Sequence, residues 1–308
     1  MKTQTDEGMG AGPIFIGGIS FSGKTILHAV LSAHPNILIT RHTSMWSRYY
    51  QRYGELDRPE NFDRCLTDML QDRHLRTLNP NPERIRNEFW RGSPSYGRLF
   101  RLFHEHFAEQ MGKPRWGDQL SYIERYADPI LASFPNARMI HMIRDPRERY
   151  KESVDHSSHR LWKVGLETAN WLHSAKLAER NQRQHPAAYK IIRYESLVTD
   201  PENTILDVCD FLEEDFAPTM LTPVYRIHSE IENAAQTDGP SPRPPTRAVS
   251  EREIGYIQMY AGRYMLANAY TLQPVHLPLK DRLLFYAVDW PANLASMGAG
   301  HLYHSWRE

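Results

Sequence analysis

Pro13-Ile14-Phe15-Ile16-Gly17-Gly18-Ile19-Ser20-Phe21-Ser22-Gly23-Lys24-Thr25 is the stretch that decides the fold. Pro13 to Gly18 reads as a short buried strand ending in glycines. Thr25 to Ala33 has helical spacing, with Ile26, Leu27, Val30 and Leu31 on a shared face, and His34-Pro35-Asn36 closes it as proline should. Ile37 to Thr40 is a second short strand. Strand, glycine loop, helix and strand in that order open a parallel α/β sheet.

Gly18 to Thr25 also satisfies G-x-x-x-x-G-K-[ST] in full, between a strand and a helix, where phosphate cradling requires it. Gly18 and Gly23 let the backbone wrap closely around an anion. The loop amides and the helix N-terminus carry partial positive charge. Lys24 adds a full charge, and Ser22 and Thr25 add hydroxyl donors. The loop alone does not name the reaction. A kinase would use it with ATP and with magnesium on Thr25.

Further along, Arg138 to Ile143 is the clearest strand, joined by Ala188 to Arg193 and Lys113 to Asp118. Residues 44–112 are mainly helical by pattern, with breaks at 79–82 and 92–94. Pro201 to Leu212 is a helix, and Ser250 and Glu253 form a capping box that starts another. Residues 236–248 are a Pro-rich loop, and the tail from Asp281 reads as a docked helix. The expected organisation is a flexible lead-in at 1–12 and one domain over 13–308. That domain includes a helical insertion at about 44–112 and a C-terminal helical tail.

Composition narrows the function. The 308 residues include 37 basic and 37 acidic side chains, so no whole-protein field favours nucleic acid or an anionic membrane. Any anion site must be local. A 41% hydrophobic content supports a packed core. No membrane span or secretory leader is expected. Cys65 and Cys209 show neither metal-ligand spacing nor a disulfide framework, which suggests a reducing, cytoplasmic setting. His104 with Glu105 or His106, and His156 with His159, complete no metal site, so no metal is expected.

Three later segments carry a resemblance. They are Trp116-Gly117-Asp118-Gln119, then Phe134 to Arg147 with its strand ending in Arg144-Asp145-Pro146-Arg147, then Arg193-Tyr194-Glu195-Ser196-Leu197 followed by Asp200-Pro201-Glu202 and Phe211-Leu212. In this order they resemble the sulfotransferase family that uses 3′-phosphoadenylyl sulfate (PAPS), from about residue 13 to 212 and more weakly to about 270. The resemblance implies a P-loop-like three-layer α/β fold with a central parallel sheet flanked by helices. It implies transfer of a sulfuryl group from PAPS to a hydroxyl of a small molecule or carbohydrate. By the same resemblance, Ser20, Phe21, Ser22, Gly23, Lys24 and Thr25 cradle the donor's 5′ end and Arg144 its 3′-phosphate. Arg144 would end a parallel strand, where open α/β sheets bind ligands. The family's serine two helical turns later would be Ser153, and the Pro-rich loop, with Arg243 and Arg247, would either close over the 3′-phosphate or be a solvated linker.

The departures are specific. Phe21 stands where the family usually has Arg or Lys, so Lys24 is expected to take over part of the charge stabilisation. Glu152 holds the usual serine spacing, and Ser153 comes one residue later, about 100° around a helix. Gln119 replaces a frequent lysine. For the acceptor's proton, His42 and Asp118 are the candidate bases; histidine needs no large pKa shift near neutral pH, whereas aspartate does. Arg41 beside His42 either binds the sulfate or acceptor or is an exposed charge. Trp46, Tyr49, Tyr50 and Tyr53 either wall an acceptor pocket or form helix core. The rival readings are a P-loop kinase, with Asp118 or Asp145 for magnesium, and a non-catalytic nucleotide-binding protein, for which Phe21 and Gln119 speak.

Overall fold

Side chains alternate along a strand, so the apolar run that ends in the glycines must bury both of its faces. Ile14 and Ile16 pack with Leu27, Val30, Ile140 and Met142 on one side of a sheet; Phe15 packs with Trp116, Phe134 and Met139 on the other. The computed structural model describes residues 11–155, 163–226 and 248–305. Its sheet has five parallel strands: β1 (Ile14–Gly17), β2 (Ile37–Arg41), β3 (Arg115–Gln119), β4 (Arg138–Ile143) and β5 (Tyr189–Arg193), in the order β2-β3-β1-β4-β5. β1 is central, and the glycine loop and Arg144 leave adjacent strands at the same, C-terminal edge.

α1 (Lys24–Ser32) packs on the isoleucine face of the sheet. Residues 44–112 contain α2 (Met45–Arg48), α3 (Pro59–Gln71), α4 (Pro82–Phe89) and α5 (Tyr96–Gln110), which cover the Phe15 face. Trp46 and Tyr49 are buried there, Trp46 edge-on to Phe100 at 5.2 Å, so these aromatics are core rather than pocket wall. Fully burying a side chain of this kind contributes about 1.5–3 kcal/mol. α6 (Ala127–Ser133) precedes β4; α7 (Pro146–Asp155) and α8 (Lys163–Gln184) follow it. α9 (Tyr194–Thr199) and α10 (Pro201–Leu212) follow β5. α10 joins α1 in the layer on the isoleucine face, completing the three layers of a P-loop-like fold.

α11 (Glu251–Ala267) starts at the expected capping box, with the Ser250 and Glu253 side chains each bonded to the other's backbone. α12 (Leu279–Leu284) runs through a π-helical turn into α13 (Trp290–Ser305), and Asn293 on α13 accepts the Gly165 amide of α8 at 3.1 Å. β3 begins at Arg115 rather than Lys113, because the Arg115 amide is the first to reach the β2 edge, at Asn36. Arg243, Arg247, His156 and His159 lie outside the described residues. Among the described residues, no helix is long and apolar enough to cross a membrane.

Candidate active site

The loop between β1 and α1 turns on two glycines with positive φ. Gly18 (φ +113°) passes so close to β4 that a Cβ would lie 2.4 Å from the Met142 carbonyl. Gly23 (φ +93°) is the N-cap of α1, and a Cβ there would lie 2.4 Å from the Tyr194 ring. It supplies no capping side chain, so the amides of Lys24 and Thr25, which precede the first intrahelical bond from Ile26 to the Gly23 carbonyl, are left for a ligand.

Three distant side chains and Lys24 at the start of α1 hold four successive loop residues. The Gly18 amide donates to Glu124 at 3.1 Å. The Ile19 carbonyl accepts from the Lys24 ammonium at 2.5 Å, Ser20 from Arg149 at 3.1 Å, and Phe21 from Arg144 at 3.4 Å. Phe21 itself has φ 65°, a left-handed conformation costly for a large side chain, and these tethers hold it.

A cavity of about 370 Å³ opens above the loop. The loop and α1 line it through Ser20, Phe21, Gly23, Lys24, Thr25 and Ile26; the ends of β2 and β3 add Arg41, His42, Gln119 and Ser121. Arg144, Glu152 and Tyr194 close the far side. Arg144 lies over the Tyr194 ring at 4.3 Å and pairs with the Glu152 carboxylate. Tyr194 thus touches both the glycine turn and the arginine, which explains the Arg-Tyr-Glu segment. The neighbouring Glu195 accepts the Asp145 amide at 2.9 Å and the Tyr270 hydroxyl at 3.0 Å.

The predicted residues therefore divide. Ser20, Phe21, Gly23, Lys24, Thr25, His42 and Arg144 share the cavity. Ser22 is buried just beneath, its Oγ without a hydrogen-bond partner among the described residues. Asp118 does not line the cavity: it is 1% exposed and accepts from Thr40 at 2.9 Å and Thr43 at 2.5 Å. Burial raises its carboxyl to about 6, against hydrogen bonds from Thr43, Thr40 and the Gln119 amide. Ser153 does not line it either; it is 2% exposed, and Glu152 faces the cavity instead. Asp145, the other candidate magnesium ligand, is clamped by Arg147 at 2.6 Å. Among the described residues, no three His, Cys, Asp or Glu side chains gather as a metal site.

The electrostatics of Lys24 are unusual. It is 6% exposed, and burial lowers its ammonium from 10.5 to about 7; Glu124 pulls it upward and Arg149 further down. Burial, Arg41 and His74 hold the exposed His42 imidazole below its ordinary value, so it is largely neutral at pH 7. Glu124, Arg149 and Ser121 were missed in the sequence. Ser121 was within reach, as the second residue beyond a strand end at the ligand-binding edge; the other two carry no local signal.

The sulfotransferase family model matches residues 13–218. Among solved structures, the chain is similar to the sulfotransferase domain of the Synechococcus PCC 7002 olefin synthase, with 21% identity and a TM-score of 0.50 over 88% of this chain and 100% of that one. It is also similar to the sulfotransferase domain from the curacin biosynthetic pathway, with 17% identity and a TM-score of 0.50 over 85% of this chain and 99% of that one. A search of curated protein sequences finds no match.

Proposed function

The chain belongs to the sulfotransferase family, and from that premise we propose that its cavity binds 3′-phosphoadenylyl sulfate and that His42 accepts the proton of an acceptor hydroxyl on a small molecule or carbohydrate. One observation carries the reading: the phosphate loop and Arg144, two anion cradles far apart in sequence, meet in one cavity, with Arg144 3.4 Å from the Phe21 carbonyl. A donor with a 5′-phosphosulfate and a 3′-phosphate needs two such cradles.

The Lys24 and Thr25 amides of α1 and the Ser20 and Thr25 side chains are the groups available to the 5′ end, and the Ser22 Oγ beneath them, unpartnered among the described residues, fits a further acceptor oxygen. The donor supplies an activated sulfuryl group. The acceptor oxygen forms the new S–O bond, the bond from sulfur to the bridging oxygen breaks, and the electron pair leaves with the 3′,5′-bisphosphate. By analogy with phosphoryl transfer, positioning and electrostatic stabilisation do most of the work. Lys24, once released from Ile19, brings a full positive charge to the oxygen that gains it. His42, at the cavity rim and largely neutral, takes the acceptor's proton. The free, buried thiols of Cys65 and Cys209 support a reducing, cytoplasmic setting.

Calorimetry with adenosine 3′,5′-bisphosphate, ATP and GTP, followed by transfer of labelled sulfuryl groups to a panel of hydroxyl compounds, tests the reading. Tight binding of the bisphosphate alone, with label transfer from PAPS, is expected. Preference for ATP, with phosphoryl transfer, would overturn it.

A further inference from the structure

We propose that Glu124, which lies outside the cavity, is a positioning residue of the site: it anchors the glycine loop from behind and is the counter-charge of the buried Lys24. The proposal rests on the reading of the cavity as the donor site.

Glu124 sits in the short 3₁₀ turn Ile123–Tyr126 after β3 and is fully buried. Its Oε2 accepts the Gly18 amide at 3.1 Å, and its Oε1 accepts the Ser174 hydroxyl at 2.6 Å. Its backbone carbonyl accepts the Asn181 side-chain amide at 2.7 Å, so α8 clamps the turn at two points. The hydrogens behind the carboxylate have one consistent arrangement. Ser174 gives its single proton to Glu124, so at its 3.3 Å contact with His141 Nε2 the imidazole is the donor. Burial holds that imidazole below its ordinary value, so it is neutral at pH 7 and its Nδ1 is free to accept the Tyr189 hydroxyl at 3.0 Å. Tyr189, His141, Ser174 and Glu124 thus form one buried chain of donors and acceptors from β5 to the Gly18 amide. Gly18 does not line the cavity, because its amide is spent on Glu124.

A buried carboxylate is costly unless hydrogen bonds and an opposite charge meet it. Glu124 and Lys24 hold successive loop residues, one the Gly18 amide and the other the Ile19 carbonyl. Burial lowers the Lys24 ammonium; Glu124 is the anion that pulls it back up, and Arg149 the cation that pushes it further down. Burial alone would raise the Glu124 carboxyl, but His141, the Ser174 hydroxyl and the Gly18 amide hold it below its ordinary value, so it is ionised wherever Lys24 titrates. The other titratable groups facing this pair are Tyr122 of the preceding loop, His141 of β4, Tyr189 of β5 and Arg149 of α7. From α8 come the neutral Ser174 and Asn181 and, paired with Arg149, Glu167.

The test follows proton uptake as adenosine 3′,5′-bisphosphate binds, by calorimetry from pH 5 to 9 in buffers of different ionisation enthalpy, on the full chain and on Glu124→Gln. Wild-type uptake is expected to reach half its plateau at a pH of about 7. Glu124→Gln should move that midpoint down by about one unit or more, because the opposite charge has gone. Glutamine still offers Gly18 an acceptor and gives Ser174 a donor, and the His141 tautomer can reverse to match. A purely structural role would weaken binding without moving the midpoint. Hydrogen exchange on the ligand-free wild type checks the anchor: the Gly18 amide should be at least about tenfold better protected than that of the exposed Ser20. That measurement needs no variant and decides alone if Glu124→Gln does not fold. An unmoved midpoint, or a Gly18 amide that exchanges as freely as that of Ser20, overturns the proposal, and the donor-site reading stands if the bisphosphate binds. So does a folded Glu124→Gln that fails to bind the bisphosphate at pH 5, where Lys24 is charged in both proteins. Binding of the bisphosphate to neither protein overturns both.

Discussion

Lys24 is expected to take up a proton when the bisphosphate binds. Its ammonium titrates near 7, against 10.5 in a free lysine, because the folded chain buries it and Arg149 lies close. At pH 8 only about one molecule in ten carries the charge. Bound phosphate oxygens beside the Nζ favour the charged form, so binding at pH 8 should take up about 0.9 proton, and binding at pH 6 almost none. Affinity should then fall by about tenfold for each pH unit above 7, or about 1.4 kcal/mol per unit. Calorimetry in buffers of different ionisation enthalpy measures the uptake directly. Lys24→Met should abolish it and lower turnover by about 10²–10³. Stability provides an independent check on the sign. The folded pKa is depressed, so between about pH 7 and 10.5 the unfolded chain holds more protons and stability rises with pH; below 7 the cost of the buried charge is fully present. Lys24→Met should therefore raise Tm more at pH 6 than at pH 10. Zero proton uptake at pH 8 in the wild type would refute the reasoning, since the ammonium would then be either already charged or out of the ligand's reach.

Three further predictions concern neighbouring residues. His42→Ala should lower kcat by about 10²–10⁴ and remove the acidic limb of the pH–rate profile, which lies below the ordinary histidine range because the imidazole is depressed; an unchanged profile would remove His42 from proton transfer. Gly23→Ala should lower stability by about 2 kcal/mol or more, measured by denaturant unfolding, because a Cβ at φ +93° would meet Tyr194 at 2.4 Å. Asp118→Asn should leave kcat within about threefold, because both carboxylate oxygens serve Thr40 and Thr43. Its raised folded value of about 6, against 3.8, costs stability as pH rises from about 4 to 6, so the Asn variant should flatten that slope in Tm; a fall in kcat of about a hundredfold would put Asp118 in the chemistry.

The strand, the glycine turn, α1 and Arg144 at a strand end were legible in the chain because each is a local pattern: a run of apolar residues, a fixed glycine spacing, a strand followed by a proline. The same locality explains the near misses. Asp118 and Gln119 are neighbours in β3, but strand side chains alternate, so one is sealed against Thr40 and Thr43 while the other reaches the cavity. Glu152 and Ser153 are neighbours in α7, and the helical rotation sends the carboxylate toward Arg144 and the hydroxyl inward. Sequence spacing alone did not reveal which of each pair faces the cavity; the packing of β3 and α7 decided it.

The sequence by itself determined that a glycine loop would form between a strand and a helix and which sheet edge would carry it, because glycine's freedom and strand–helix periodicity act over a few residues. Only the tertiary structure decided how that loop is charged. Glu124, Arg149 and Arg144 come to Gly18, Ser20 and Phe21 across 106, 129 and 123 residues, and the burial they help to create pulls the Lys24 ammonium down. Desolvation and Coulomb interactions depend on what is packed around a group in space, and chain separation carries no information about that.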